Sequence, residues 1–197
     1  MAARILMVRH GPTATTRAHA FPDDEELDPT GMLVAARLAG RLEADHAVVS
    51  PRRRCLVTAA LAGFPDAQVD ERFAEMQFGT WTGSLYTDIF EQQPEQMHAW
   101  LADPASAPHG GETLADLRTR VTAGLRDLPD EATSVVFCHG GPIGVSIFHA
   151  LGAPLESFWR LRIDPASITE LRRDDDAYTV VRVNVPAMSW NRRIPTA

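Results

Sequence analysis

Two histidines and a run of arginines stand where short apolar stretches end. Arg9-His10-Gly11 follows Ile5-Leu6-Met7-Val8, Ser50-Pro51-Arg52-Arg53-Arg54 follows Ala47-Val48-Val49, and His139-Gly140-Gly141 follows Ser134-Val135-Val136-Phe137-Cys138. A neutral imidazole is a nucleophile or proton carrier near pH 7, and a guanidinium is a fixed fork of donors that matches phosphate. Two imidazoles and at least two guanidiniums brought to one point repel one another unless an anion sits between them, so the pattern points to a bound dianion. It does so on one condition: the three apolar runs must be neighbouring strands of one parallel sheet, at whose carboxyl ends ligands gather. For His19, His46, His98, His109 and His149 the flanking residues suggest ordinary polar side chains.

The elements that position these groups follow from patterning. Asp28-Pro29 opens a helix by capping and a fixed first φ, and Met32, Ala35, Ala39 and Leu42 continue it at helical spacing, with Arg37, Arg41 and Glu43 facing away. A helix is predicted from about Arg53 to Ala62, a short strand at Ala67-Gln68-Val69, and a helix behind Thr113 with Leu114, Leu117, Val121, Leu125 and Leu128 as its apolar stripe. Another is expected from Ile143 to about Ala150. Ser167–Arg172 and Tyr178–Val185 read as a hairpin around the acidic turn Asp174-Asp175-Asp176. Residues 76–110, rich in Gly and Pro, carry short helical patterns near 84–92 and 95–101 and read as a lid or insertion over the sheet, within one domain spanning 1–197. Strand–helix alternation gives an α/β class.

Composition narrows the chemistry. The 197 residues are 45% hydrophobic and 23% charged, values of a globular unit with a sizeable core. A net charge of −7 argues against nucleic acid and anionic membranes as partners. All 19 basic residues are Arg, which removes Schiff-base and P-loop lysine chemistry. Cys55 and Cys138 suit reduced, buried packing. No His-x-x-x-His spacing occurs, so no metal and no cofactor is expected. No apolar run nears the roughly 18 residues of a membrane span, and Met1-Ala2-Ala3-Arg4 lacks a signal-peptide pattern, so a cytoplasmic protein is expected.

Five segments stand in a fixed order: Val8-Arg9-His10-Gly11-Pro12-Thr13, then Ser50-Pro51-Arg52-Arg53-Arg54 continuing to Ala59, then Phe73-Ala74-Glu75-Met76-Gln77-Phe78-Gly79-Thr80-Trp81-Thr82-Gly83, then Gly110-Gly111-Glu112-Thr113, then Phe137-Cys138-His139-Gly140-Gly141. With them the chain resembles the histidine phosphatase superfamily, also called phosphoglycerate mutase-like, in its small phosphatase branch. The resemblance implies a three-layer α/β/α sandwich on a mostly parallel sheet and a phosphomonoesterase acting on a small phosphorylated metabolite. It implies His10 as the nucleophile that becomes phosphohistidine and Glu75 as proton donor to the leaving oxygen. Arg9, Arg54 and His139 would hold the phosphoryl oxygens, with Thr13 and Gly140 in the phosphate site and Arg plus protonated His in place of a metal.

Two departures stand out. Many members carry Asn three residues after the motif threonine, where this chain has Thr16. An Arg often follows His-Gly-Gly-x-Ile, where this chain has Gly144, which implies looser or reshaped packing. Glu112 reads as a helix-start carboxylate, with a substrate-facing role left open, and Asp23-Asp24-Glu25-Glu26 as a solvated run or a pocket rim. The rim itself is expected from residues 12–27 and 76–110, with Trp81, Tyr86 and Trp100 packing or stacking there. The alternatives are a cofactor-dependent phosphoglycerate mutase, whose members are longer and carry Trp-Asn where this chain reads Thr13-Ala14-Thr15-Thr16, and a non-catalytic phosphate-binding module. The alcohol (sugar phosphate, α-ribazole phosphate or another) and the oligomeric state, homodimer included, stay open.

Overall fold

Alternation along the first strand sets the layers. In β1 (Ala3–Arg9), Ile5 and Met7 point into one apolar core while Leu6 and Val8 point into another. This computed structural model describes residues 2–191, so the outermost ends of the expected 1–197 unit lie outside it. Helices α6 (Leu114–Arg126) and α7 (Gly140–Leu151) cover the first face through Leu117, Val121, Leu125, Ile143 and Ile147. Helices α2 (Pro29–Ala36) and α3 (Arg53–Ala62) lie on the second, where Leu38, Leu42, Cys55, Ala59 and Ala62 are buried. The result is a three-layer α/β/α sandwich.

The six-stranded sheet runs β3-β2-β4-β1-β5-β6, with β2 (His46–Val49), β3 (Gln68–Val69) and β4 (Thr133–Cys138) parallel to β1. β5 (Ser167–Asp174) and β6 (Ala177–Pro186) are antiparallel and form the expected hairpin, closed by Asp175 at φ 51°. Register makes the three reactive strand ends level. Arg9 pairs with Cys138 and Val49 with Phe137, while His10 N–H donates to the Cys138 carbonyl and Ser50 N–H to that of Phe137. The neighbour condition set by the sequence is met.

Two helices differ from their predicted form. α7 begins at Gly140, three residues earlier than expected, because Pro142 lies in the first turn, where its missing N–H costs no bond. α2 ends at Ala36, and the chain continues to Leu42 in tight turns closed by i to i−3 hydrogen bonds. Its buried face is Gly31, Ala35, Leu38 and Leu42: Ala35 and Leu42 are buried as expected, while Gly31 and Leu38 take the places of Met32, which is 47% exposed, and Ala39. Gly31 is the reason: it lies against the loop after β1, where a Cβ would fall 2.0 Å from the Pro12 carbonyl oxygen. Hydrophobic periodicity gives no weight to a glycine.

The 76–110 segment carries a 3₁₀ turn (Gly79–Trp81) and helices α4 (Tyr86–Gln92) and α5 (Pro94–Ala102). It packs on the loop after β1 through Phe21, whose ring meets those of Phe78, Trp81, Tyr86 and Trp100. A single bridge pairs Ala20 with Leu85. Gly31→Ala is expected to force α2 away from the loop and cost about 1–3 kcal/mol. Thermal unfolding by circular dichroism tests it, and an unchanged midpoint would contradict the close-approach account.

Candidate active site

His10 leaves the sheet at the end of β1 and is 3% exposed. Its Nδ1 is 2.7 Å from the Gly11 carbonyl oxygen, which only accepts, so the ring proton sits on Nδ1 and Nε2 keeps its lone pair. Arg54 Nε–H donates to that Nε2 at 3.2 Å. Gly11 is itself fixed, since its N–H donates to Thr58 Oγ1 while Thr58 donates to the Arg54 carbonyl one turn earlier in α3. Burial, then Arg54 and Arg9, hold His10 well below the ordinary imidazole value of 6.5, against the opposing pull of the Gly11 hydrogen bond.

His139 caps α7 and packs edge-on to His10, with ring centroids 5.1 Å apart. Its Nε2 is 2.7 Å from Ser50 Oγ, and burial first, then Arg54, pushes it well below 6.5 as well. Both imidazoles are thus held towards the neutral form, and the positive charge around them rests on Arg9 and Arg54. Cys55 lies 3.4 Å from His139 Nε2 and, with burial pushing its thiol up to about 12, packs as a thiol. Arg9 donates through Nη1 to the Ile163 carbonyl, while its buried Nε has no protein partner. Burial lowers its pKa, against the attraction of Glu75 and Tyr86.

A cavity of about 410 Å³ opens over Arg9 and His10 and is lined also by Glu75, Gly140 and Gly141; Arg54 and His139 touch His10 but are not among its lining residues. The first-turn N–H groups at Gly140 and Gly141 have no carbonyl of their own helix to meet, and an anion suits that end. Glu75 presses against the same turn: a Cβ on Gly141 would fall 2.3 Å from its Oε1. Tyr86, also in the lining, has its hydroxyl pushed up to about 12 by burial and the nearby Glu75.

The structure thus brings Arg9, His10, Arg54, Glu75, His139 and Gly140 to one place. Thr13 sits behind it. Its hydroxyl caps α1 (Ala14–Ala18) by accepting from Thr16 N–H, contacts Thr16 Oγ1 at 2.9 Å and donates to Glu25 at 3.1 Å. Thr16, at the departure from the family's Asn, lines the cavity.

Two features refine the sequence reading, the first bearing out the pocket-rim alternative for the acidic run and the second not foreseen. Glu25, inside the acidic run, folds inward: its carboxylate lies 3.4 Å from Arg54 Nη1, and the Asp23 carbonyl accepts from the same nitrogen at 2.5 Å. Arg54 sits in the first turn of α3, at the positive end of a helix, so these acceptors offset an otherwise unfavourable burial. The second is Arg120 on α6, which donates to the Arg72 and Ala74 carbonyls at 2.8 and 2.9 Å and to that of Glu75 at 3.2 Å. Glu112 pairs with it bidentately at 2.5 and 2.7 Å. Glu112 is therefore an anchor for the segment carrying Glu75, and it is not among the residues that line the cavity. Among the described residues no group of three His, Cys, Asp or Glu side chains is placed to hold a metal ion, and no helix is long and apolar enough to cross a membrane.

The family model of the histidine phosphatase superfamily (branch 1) matches residues 5–186. The chain belongs to that superfamily. Among its relatives, phosphoserine phosphatase 1 of Hydrogenobacter thermophilus is 27% identical over 194 residues, covering 92% of each chain. Glucosyl-3-phosphoglycerate phosphatase of Mycobacterium tuberculosis is 30% identical over 177 residues, 80% of this chain and 79% of the relative. The solved structure of mycobacterial glucosyl-3-phosphoglycerate phosphatase with VO3 superposes with a TM-score of 0.79 at 28% identity, covering 92% of this chain and 98% of that one. Similarity to named phosphatases over nearly the whole chain supports a phosphatase of the histidine phosphatase superfamily.

Two outcomes follow from the geometry of this histidine phosphatase site. Arg120→Ala is expected to lower stability by about 2 kcal/mol, measured by urea unfolding. Arg120→Lys, which keeps the charge without the fork, should recover only part of it, and full recovery would contradict the carbonyl clamp. His10 and His139 stay neutral in the fold but take up protons in the unfolded chain below about pH 6.5, so the unfolded state binds more protons there and stability falls as pH drops. Replacing both by Asn should flatten the fall in thermal midpoint between about pH 6.5 and 5. An equally steep fall in the double variant would place the titration elsewhere.

Proposed function

We propose that the protein is a metal-independent phosphomonoesterase working through a phosphohistidine on His10. The observation that carries this reading is the fixed Nε2 lone pair of a neutral His10, with Arg54 Nε–H 3.2 Å away and Glu75 lining the same cavity. Arg54 shifts its Nε–H from His10 to a phosphoryl oxygen, and the freed Nε2 lone pair attacks phosphorus as the ester P–O bond breaks, so an N–P bond replaces it. Arg9, Arg54, His139 and the α7 N-terminus at Gly140 take the charge that spreads over the phosphoryl oxygens. The unpartnered Nε of Arg9 is a donor suited to that purpose. Glu75 gives its proton to the departing alkoxide and then removes one from the water that attacks the N–P bond, releasing phosphate and restoring neutral His10.

The guanidiniums supply the electrostatic stabilisation that a divalent cation gives other phosphatases, which supports turnover without metal. The relatives are named for different phosphate esters, phosphoserine in one and glucosyl-3-phosphoglycerate in another, so their names do not fix the substrate here. A small phosphorylated metabolite is the substrate class. Hydrolysis of 4-nitrophenyl phosphate in excess EDTA is the test. The wild type should turn over undiminished, His10→Ala should lose about 10³-fold or more, and Glu75→Gln should lose more on an alkyl ester than on the activated aryl ester. Loss of activity in EDTA, or full activity in His10→Ala, would overturn the mechanism.

A further inference from the structure

Part of the cavity lining is aromatic. Trp159 tilts against Trp100 with ring centroids 4.2 Å apart, and Phe158 stands perpendicular to Trp159 at 4.9 Å. Tyr86 lines the same space. Trp159 and Tyr86 remain 38% and 37% exposed, so each leaves ring surface open beside the cavity. Gly144 makes room for this wall: a Cβ there would fall 2.5 Å from the Phe158 ring. The position where the family resemblance implies an arginine thus holds a glycine and an aromatic ring, which replaces a cation by an apolar surface. Of the looser or reshaped packing expected at Gly144, the structure shows the reshaped form, with the Phe158 ring seated against it.

The charges lining the cavity point the same way. Arg9 belongs to the phosphate end. Arg162 is at the rim, with a side chain 87% exposed and its Nε donating to Asp164 at 2.9 Å, so its charge is solvated and offset. Glu25 has a side chain only 19% exposed, pairs with Arg54 at 3.4 Å and also accepts from Thr13 Oγ1 and Asp23 N–H. A phosphoryl dianion that draws on Arg54 weakens this ion pair and leaves Glu25, with Glu75, as negative charge in the cavity lining.

We propose that the alcohol released is a flat, uncharged aromatic one held by Trp159, Trp100 and Tyr86, and that Glu25 is a specificity-determining residue that rejects esters carrying a second anion. Flat rings gain from edge and offset contacts with such a wall, and a like charge beside an unscreened carboxylate loses binding. This inference rests on the phosphomonoesterase reading above.

The test compares 4-ethylphenyl phosphate with 4-(carboxymethyl)phenyl phosphate, two esters of similar shape and leaving group that differ in one charge. The wild type should prefer the neutral ester by about tenfold or more in kcat/KM. Glu25→Gln should narrow that ratio severalfold. Trp159→Ala should raise KM for the neutral ester about fivefold with kcat largely kept, and Trp159→Phe should restore it. Equal or inverted preference in the wild type, with both esters turned over, overturns the substrate inference alone. A ratio unmoved in Glu25→Gln overturns the role of Glu25. Failure to hydrolyse either ester overturns the phosphomonoesterase reading and this inference with it.

Discussion

One hydrogen bond organises the site: the buried Arg54 guanidinium donates through Nε to the lone pair of His10 Nε2. A charged donor 3.2 Å from an imidazole nitrogen makes protonation there costly, and the Gly11 carbonyl holds the remaining proton on Nδ1. The same contact demands a fully buried arginine at the first turn of a helix, where the backbone already presents positive ends. Such a charge persists only with acceptors around it. In the empty protein these are the Asp23 carbonyl and the Glu25 carboxylate; in the proposed reaction a phosphoryl group takes over part of that role.

The rest of the molecule can be understood as support for this contact. The β2-β4-β1 order brings Ser50, His139 and Arg9-His10 level at one edge of the sheet. Gly11 and Gly31 let the loop after β1 and helix α2 approach more closely than any side chain permits. On the opposite face, the Arg120–Glu112 pair fixes the carbonyls of the segment that delivers Glu75 against Gly141. The nucleophile and the proposed acid thus come from different layers, and each is pinned by backbone hydrogen bonds that leave little freedom for its side chain.

Much of this was legible in the sequence, for definite reasons. Strands of four or more apolar residues ending in His or Arg identify themselves, and the strongest, 134–138, is the central β4. Thr113 caps α6 as the Thr-x-x-Asp spacing implies, with its hydroxyl 3.0 Å from Asp116 N–H. Glu75 was reached only through the family resemblance, since a lone carboxylate in a Gly-rich stretch has no local signature. Glu25 was legible only as one of a run: the acidic stretch reads as solvated or as a pocket rim, and nothing local marks which of its four carboxylates turns inward onto the cavity. Arg120 lay on the polar side of an amphipathic stripe, where nothing in the periodicity marks the carbonyls it reaches. The buried face of α2 at Gly31 and the wall built on Gly144 were both decided by close approach at glycine, a contact that no hydrophobic pattern encodes.

The central claim is that His10 Nε2 takes the phosphoryl group. Rapid quenching of the enzyme with a radiolabelled aryl phosphate, followed by peptide mapping, addresses it directly. A base-stable, acid-labile label on the peptide bearing His10, attached at Nε2 and formed at the rate of the first turnover, is the predicted result. A label on another residue, or steady turnover with no phosphorylated protein at any quench time, would contradict it.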